Sequence, residues 1–209
     1  MDLVATRLAL HALAEQVISP LRVQATGNEI ALQARPGGYG TPELPDGGWV
    51  GVSGTDVVRA DGARRPITTL RDAAVFVALN GAEQLNDEPL VVHPDAAAVL
   101  APVWADGTTW LEALIADARP DEAASEVHLW PEHFDVAIEL GDEAAGRRAA
   151  YGVSPGDPDH PQPYGYVAPW TPPEPAPLWN ATAFTGAEVP YERLSEAPAL
   201  WRACRAALD

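Results

Sequence analysis

The apolar positions near the N-terminus follow a helical repeat. Leu3, Leu10 and Val17 recur every seventh residue with Leu13 between them, one stripe of a helix predicted over residues 2–19. Arg7, His11 and Glu15 fall four apart on the other side, a solvated face in this reading, and Pro20 marks the stop. The period then shortens to two. Residues 22–26 and 29–34 alternate around Gly27-Asn28, and residues 56–60 and 64–68 around Asp61-Gly62, two hairpin signals. Between them, Pro36-Gly37-Gly38-Tyr39-Gly40 reads as a turn cluster and residues 49–53 as a strand.

Helical sequence resumes at Thr69, an N-cap for a helix reaching about residue 79. Residues 90–92 read as a short buried strand. His93-Pro94-Asp95 then opens an alanine-rich helix that Asp106-Gly107 interrupts before a second one over 109–118, with Trp110, Leu114 and Ala118 on one face. The most regular alternation follows. From His133 onward, Phe134, Val136, Ile138 and Leu140 point one way and His133, Asp135, Ala137 and Glu139 the other. Residues 127–140, 147–153 and 164–167 are therefore expected to pair as adjacent antiparallel strands with those four apolar side chains buried. Five prolines between residues 169 and 177 require an extended course, Trp179-Asn180 and Tyr191 anchor the tail, and residues 197–208 form a last helix. This order predicts an α+β fold: an antiparallel sheet covered by helices, with an N-terminal helix and a C-terminal helix. Residues 1–209 read as a single unit, with sub-lobes 1–80 and 81–209.

Charge narrows the partners. Thirteen arginines and no lysine face thirty acids, a net −17, which excludes lysine-based chemistry and argues against nucleic acid and anionic membrane as partners. The single cysteine, Cys204, makes no internal disulfide. With no leader pattern at the N-terminus and no apolar run of bilayer length, the expectation is a cytoplasmic protein.

The stretches LQARPGGYGTPEL, PITTLRDAA, HLWPEHFDVAIEL, YGVSPGDPDHPQPYGYVAPW and LWNATAFTGAEVPYERL resemble a family of actinobacterial proteins. The resemblance covers most of the chain and implies one folded unit inside the cell. It brings no activity, cofactor or catalytic residue with it.

Candidate chemistry concentrates between residues 127 and 170. His133 and Asp135, two apart on a strand, would leave one face about 6–7 Å apart. With His160 they would make a two-histidine, one-carboxylate site for a divalent metal ion. His128 lies five residues before His133, so only a bend at Trp130-Pro131 would bring the two together. A Ser154, His133, Asp135 triad can be drawn, but Ser154-Pro155-Gly156 is not a nucleophile elbow. The second reading is a binding site in which His128, Trp130, Ser154, Asp157, Tyr164 and Tyr166 supply aromatic faces and a few polar groups. Prolines 155, 158, 161 and 163 stiffen the loop beside them. Two function classes follow: a module binding a small molecule or a protein near residues 127–170, and a metal-dependent enzyme.

Overall fold

The computed structural model describes residues 2–209 and is mixed α+β, with two antiparallel five-stranded sheets. Two compact units divide the chain: Met1–Ala105 with Leu129–Phe134, and Asp106–His128 with Asp135–Asp209.

The first unit opens with a longer helical stretch than the pattern predicts. Helix α1 (Leu3–Leu13) is capped by the Asp2 carboxylate, which accepts from the Ala5 amide at 2.9 Å. It passes through a π-helical turn (Ala14–Ile18) into α2 (Ser19–Thr26). Pro20 therefore does not stop the helix. A proline lacks the amide donor and crowds the carbonyl four residues back. The wider π turn absorbs this, because the Ser19 amide bonds the Ala14 carbonyl five residues back. Gly27, at φ 97°, ends α2 instead of turning a hairpin. Arg7 is buried, and His11 bonds the Pro131 carbonyl at 2.8 Å and stacks on Phe134 at 5.1 Å, so of the expected solvated face only Glu15 is exposed.

Five short strands form the first sheet in sequence order: β1 (Gln33–Arg35), β2 (Gly38–Gly40), β3 (Val50–Ser53), β4 (Asp56–Arg59) and β5 (Arg64–Pro66). The Asp61-Gly62 hairpin is present, with Gly62 at φ 85° and Asp61 accepting from the Ala63 amide. Of the expected turn cluster only Pro36-Gly37 turns; Gly38-Tyr39-Gly40 is a buried strand. Thr69 caps α3 (Leu70–Phe76) by accepting from the Asp72 amide at 3.0 Å. Residues 90–92 form no strand, and Val91 is exposed.

Helix α4 (Pro94–Ala116) runs unbroken through Asp106-Gly107. A Cβ on Gly107 would lie 2.7 Å from Val136 Cγ2 and 3.1 Å from Val153 Cβ. The glycine is there to let the helix approach the strands, not to end it.

The second sheet has the order β10-β9-β8-β7-β6, from β6 (His128–Trp130), β7 (Asp135–Leu140), β8 (Ala149–Ser154), β9 (Tyr164–Pro169) and β10 (Ala187–Pro190). The expected meander of three strands is present, and Phe134, Val136, Ile138 and Leu140 are all buried. The first strand is not continuous from 127 to 140, however. Residues 131–134 turn, closed by the Phe134 amide on the Trp130 carbonyl at 2.7 Å, and Phe134 takes φ 59°. That conformation is strained for an aromatic residue. Its ring is held in an aromatic cluster, 5.1 Å from Tyr39 and 4.9 Å from Trp104. The final helix, α5 (Ala197–Leu208), has the predicted bounds.

Candidate functional site

Pairing in the second sheet sorts side chains onto two faces, because directly opposed residues in antiparallel strands share a face. One face carries the rows Val136, Val153, Gly165, Val189 and Ile138, Tyr151, Val167, Ala187. Helices pack there. Gly107 of α4 meets Val136 and Val153, and a Cβ on Gly165 would stand 2.8 Å from Ala197 of α5. The opposite face carries the row Ala137, Gly152, Tyr166, Glu188 and, beside it, Ser154, Tyr164 and Pro190. Chemistry gathers on this second face.

Tyr166 lies across Gly152, where a Cβ would come within 2.6 Å of its ring and hydroxyl, and its hydroxyl donates to Asp135. Asp135 is buried at the start of β7. Tyr164 donates to Asp157 Oδ2 at 2.6 Å. Asp157 sits in the proline-rich loop 155–163 and also accepts from the Asp159 and His160 amides, both at 2.8 Å. His160 stacks on Tyr164, with ring centres 4.2 Å apart. Its Nδ1 faces Asp157 Oδ1 at 3.0 Å and its Nε2 faces Glu188 Oε2 at 3.1 Å. Ser154 is buried at the end of β8 and accepts from the Gly156 amide at 3.1 Å, so its hydroxyl shapes the start of the loop.

These contacts set the protonation of the cluster. Burial, then the Asp135 charge, pushes the Tyr166 phenol well above its ordinary range. Burial and the Asp157 hydrogen bond raise Tyr164 likewise. Both tyrosines therefore stay protonated as donors. Burial works to raise Asp157, but hydrogen bonds from Tyr164 and from the His160 amide and ring outweigh it and hold the carboxyl below the usual aspartate range. Asp157 is thus held anionic beside neutral phenols.

Further along the same face the chain places one of its own cations. The Arg148 guanidinium lies 5.2 Å from the centre of the exposed Trp170 ring, and its Nε stands 3.8 Å from Glu139 Oε2. Burial raises Glu139, and the Arg148 charge opposes the shift.

Six expected site residues are thus linked: Asp135, Ser154, Asp157, His160, Tyr164 and Tyr166. His128 and Trp130 are the half-buried end residues of β6, and His133 is exposed in the 131–134 turn. The expected metal triad of His133, Asp135 and His160 does not form. His133 is on a turn and shares no strand face with Asp135, and both ring nitrogens of His160 face carboxylates. Among the described residues no three His, Cys, Asp or Glu side chains gather as metal ligands. Glu188 was not legible as a site residue. The alternation Ala187-Glu188-Val189 spans too few residues to announce a strand, and only pairing with β9 brings Glu188 to His160.

A second charged cluster lies on the helix side of this unit. Arg205 holds the buried Glu122 through two contacts of 2.6 and 2.5 Å, while Arg119 grips Asp209 at 2.9 and 2.6 Å. These groups, with Arg147 and Tyr151, enclose a cavity of about 10 Å³, the size of one water site. Its cations are paired with the chain's own carboxylates, so the cluster serves to fasten α5 and the 119–122 turn.

Among the described residues no helix is long and apolar enough to cross a membrane. Comparison of the chain with protein families, with curated proteins and with solved structures finds no match.

Proposed function

We propose that this protein is a binding module whose recognition surface is the half-buried cluster formed by the 155–163 loop, β9 and β10, and that its partner is a basic segment of another protein. The observation that carries this reading is the aromatic and carboxylate cluster of Tyr164, Tyr166, His160, Asp157 and Glu188, on the face opposite the one that receives the helices. Rings beside carboxylates attract cations through the ring quadrupole and through charge. The surrounding charge acts in the same direction. The unit that bears the site carries six arginines against seventeen acids, a field that draws basic partners and repels acidic ones. Proline-stiffened loop 155–163 holds its part of the surface in one shape, which lowers the entropy lost on binding.

Titration of the ¹⁵N-labelled protein with a lysine-rich peptide and with a glutamate-rich peptide of equal length tests the reading. The basic peptide should shift amides of the 155–163 loop, β9 and β10, and high salt should reverse the shifts. Equal response to both peptides, or shifts elsewhere only, would overturn it.

A further inference from the structure

We infer that this site is built for a planar cation, so that its ligand group is the guanidinium of an arginine, with His160 standing in for it in the free protein. The inference rests on the cationic-partner reading above and makes it specific. His160 has one ring face stacked on Tyr164 at 4.2 Å and 29°, with one carboxylate at each nitrogen, Asp157 at 3.0 Å and Glu188 at 3.1 Å. What the surroundings hold is a flat, delocalised ring, stacked on one face and with a carboxylate at each of its two edge nitrogens.

A guanidinium asks for the same surroundings: an aromatic ring under its plane and carboxylates in line with its edge N–H groups. An ammonium is compact and strongly hydrated, has no plane to stack and holds its water more tightly. The same face repeats the arrangement once more, with the Arg148 guanidinium against the Trp170 ring and Glu139 beside it.

Exchange requires little movement of the scaffold. Glu188 and Tyr164 belong to paired strands, and Asp157 is tied to the Tyr164 hydroxyl at 2.6 Å. His160 belongs to the loop between β8 and β9. Rotation about its own side-chain bonds would uncover the Tyr164 ring face and release the one contact it makes with each carboxylate, with the β-ladder unchanged. An arginine from outside then takes over the stacking position and the two edge contacts.

The test compares three fluorescein-labelled peptides of equal length and charge magnitude, rich in arginine, lysine or glutamate, by anisotropy on the full chain, with free arginine as competitor. The arginine peptide should bind about tenfold tighter than the lysine peptide, the scale of one partly desolvated cation–π contact. Tyr164→Leu and Glu188→Gln should each remove that preference and leave the two basic peptides alike. His160→Asn should tighten arginine binding several-fold by removing the internal competitor, and His160→Gln checks this should the Asn variant disturb the loop. Displacement by free arginine at the site's own affinity would show that a lone guanidinium compound suffices, whereas loss of competition would show that the peptide context is needed. Equal affinity for arginine and lysine peptides, or weaker arginine binding in both His160 variants, would overturn the planar-cation inference and leave the basic-partner reading standing. Failure of both basic peptides to bind would overturn both.

Discussion

In the sheet β1–β5 the strands run three or four residues, whereas β7, β8 and β9 run six each. Both sheets are antiparallel and take their strands in chain order, so topology does not separate them. Packing does. In the first sheet, glycines bring backbones together: a Cβ on Gly38 would meet the Val52 carbonyl oxygen at 2.4 Å, and one on Gly51 the Tyr39 carbonyl oxygen at 2.4 Å. Its tight turns rest on Gly37, Gly54 and Gly62, each at positive φ. In the second sheet the longer strands keep two faces apart, one apolar and packed by helices, the other free to collect carboxylates and phenols. The charge follows the same division. The first unit has seven arginines against thirteen acids, the second six against seventeen. A short, glycine-closed sheet spends its side-chain positions on closure. A longer one has a second face on which polar groups can gather.

The largest effect is expected from the charged fastening of the second unit. Glu122→Gln leaves Arg205 facing a neutral amide in a buried setting, and should cost about 3–5 kcal/mol in chemical denaturation. A loss below about 1 kcal/mol would mean the pair behaves as an exposed one. Its pH dependence has a definite sign. Burial works to raise the Glu122 carboxyl, but Arg205, the Arg119 amide and the Arg119 charge hold it below the ordinary glutamate range. The stabilisation is therefore complete above the unfolded-state pKa and disappears as pH falls through the lowered folded value. Acid unfolding followed by Tyr and Trp fluorescence should begin at higher pH once Glu122 is replaced.

Two glycine substitutions set the sheets against each other. Gly38→Ala drives a methyl into a backbone carbonyl that cannot step aside, and about 3 kcal/mol of destabilisation is expected. Gly152→Ala meets the end of the Tyr166 ring instead, which can swing away by giving up its bond to Asp135. About 1–2 kcal/mol should be lost there, together with peptide binding at the cluster. Thermal melts of the two variants in the reverse order would contradict the distinction between backbone closure and side-chain cover.

The smallest effect belongs to a local device. Thr69→Ala removes the side-chain acceptor for the Asp72 amide at the start of α3 and should cost about 1 kcal/mol. Because the change is confined to the first unit, binding at the Tyr164 cluster should be untouched. A matching drop in affinity would show that the site depends on more than its own strands and loop.

Some features of this chain are written in neighbouring residues and need nothing else. Strict alternation over residues 136–140 sets which side chains of β7 face the helices, Asp61-Gly62 turns its hairpin, Thr69 caps its helix, and the last helix has its expected bounds. In each case the deciding interaction lies within a few residues, so the local pattern suffices. Other features depend on partners far along the chain. Gly107 reads as a break until Val136 and Val153 are seen against it, and Pro20 reads as a stop until the π turn ahead of it is seen. Residues 90–92 have strand-like side chains but no strand to pair with, whereas residues 187–190 become a strand only beside β9. The candidate site divides in the same way. Asp157, His160 and Tyr164 stand within eight residues and were legible as a group, but Glu188 reaches His160 from 28 residues away through strand pairing. The sequence by itself determined which residue types were at hand and the local elements that carry them. Tertiary structure decided which of them touch, because a hydrogen bond or a packed methyl depends on distance in space, which the spacing along the chain does not set.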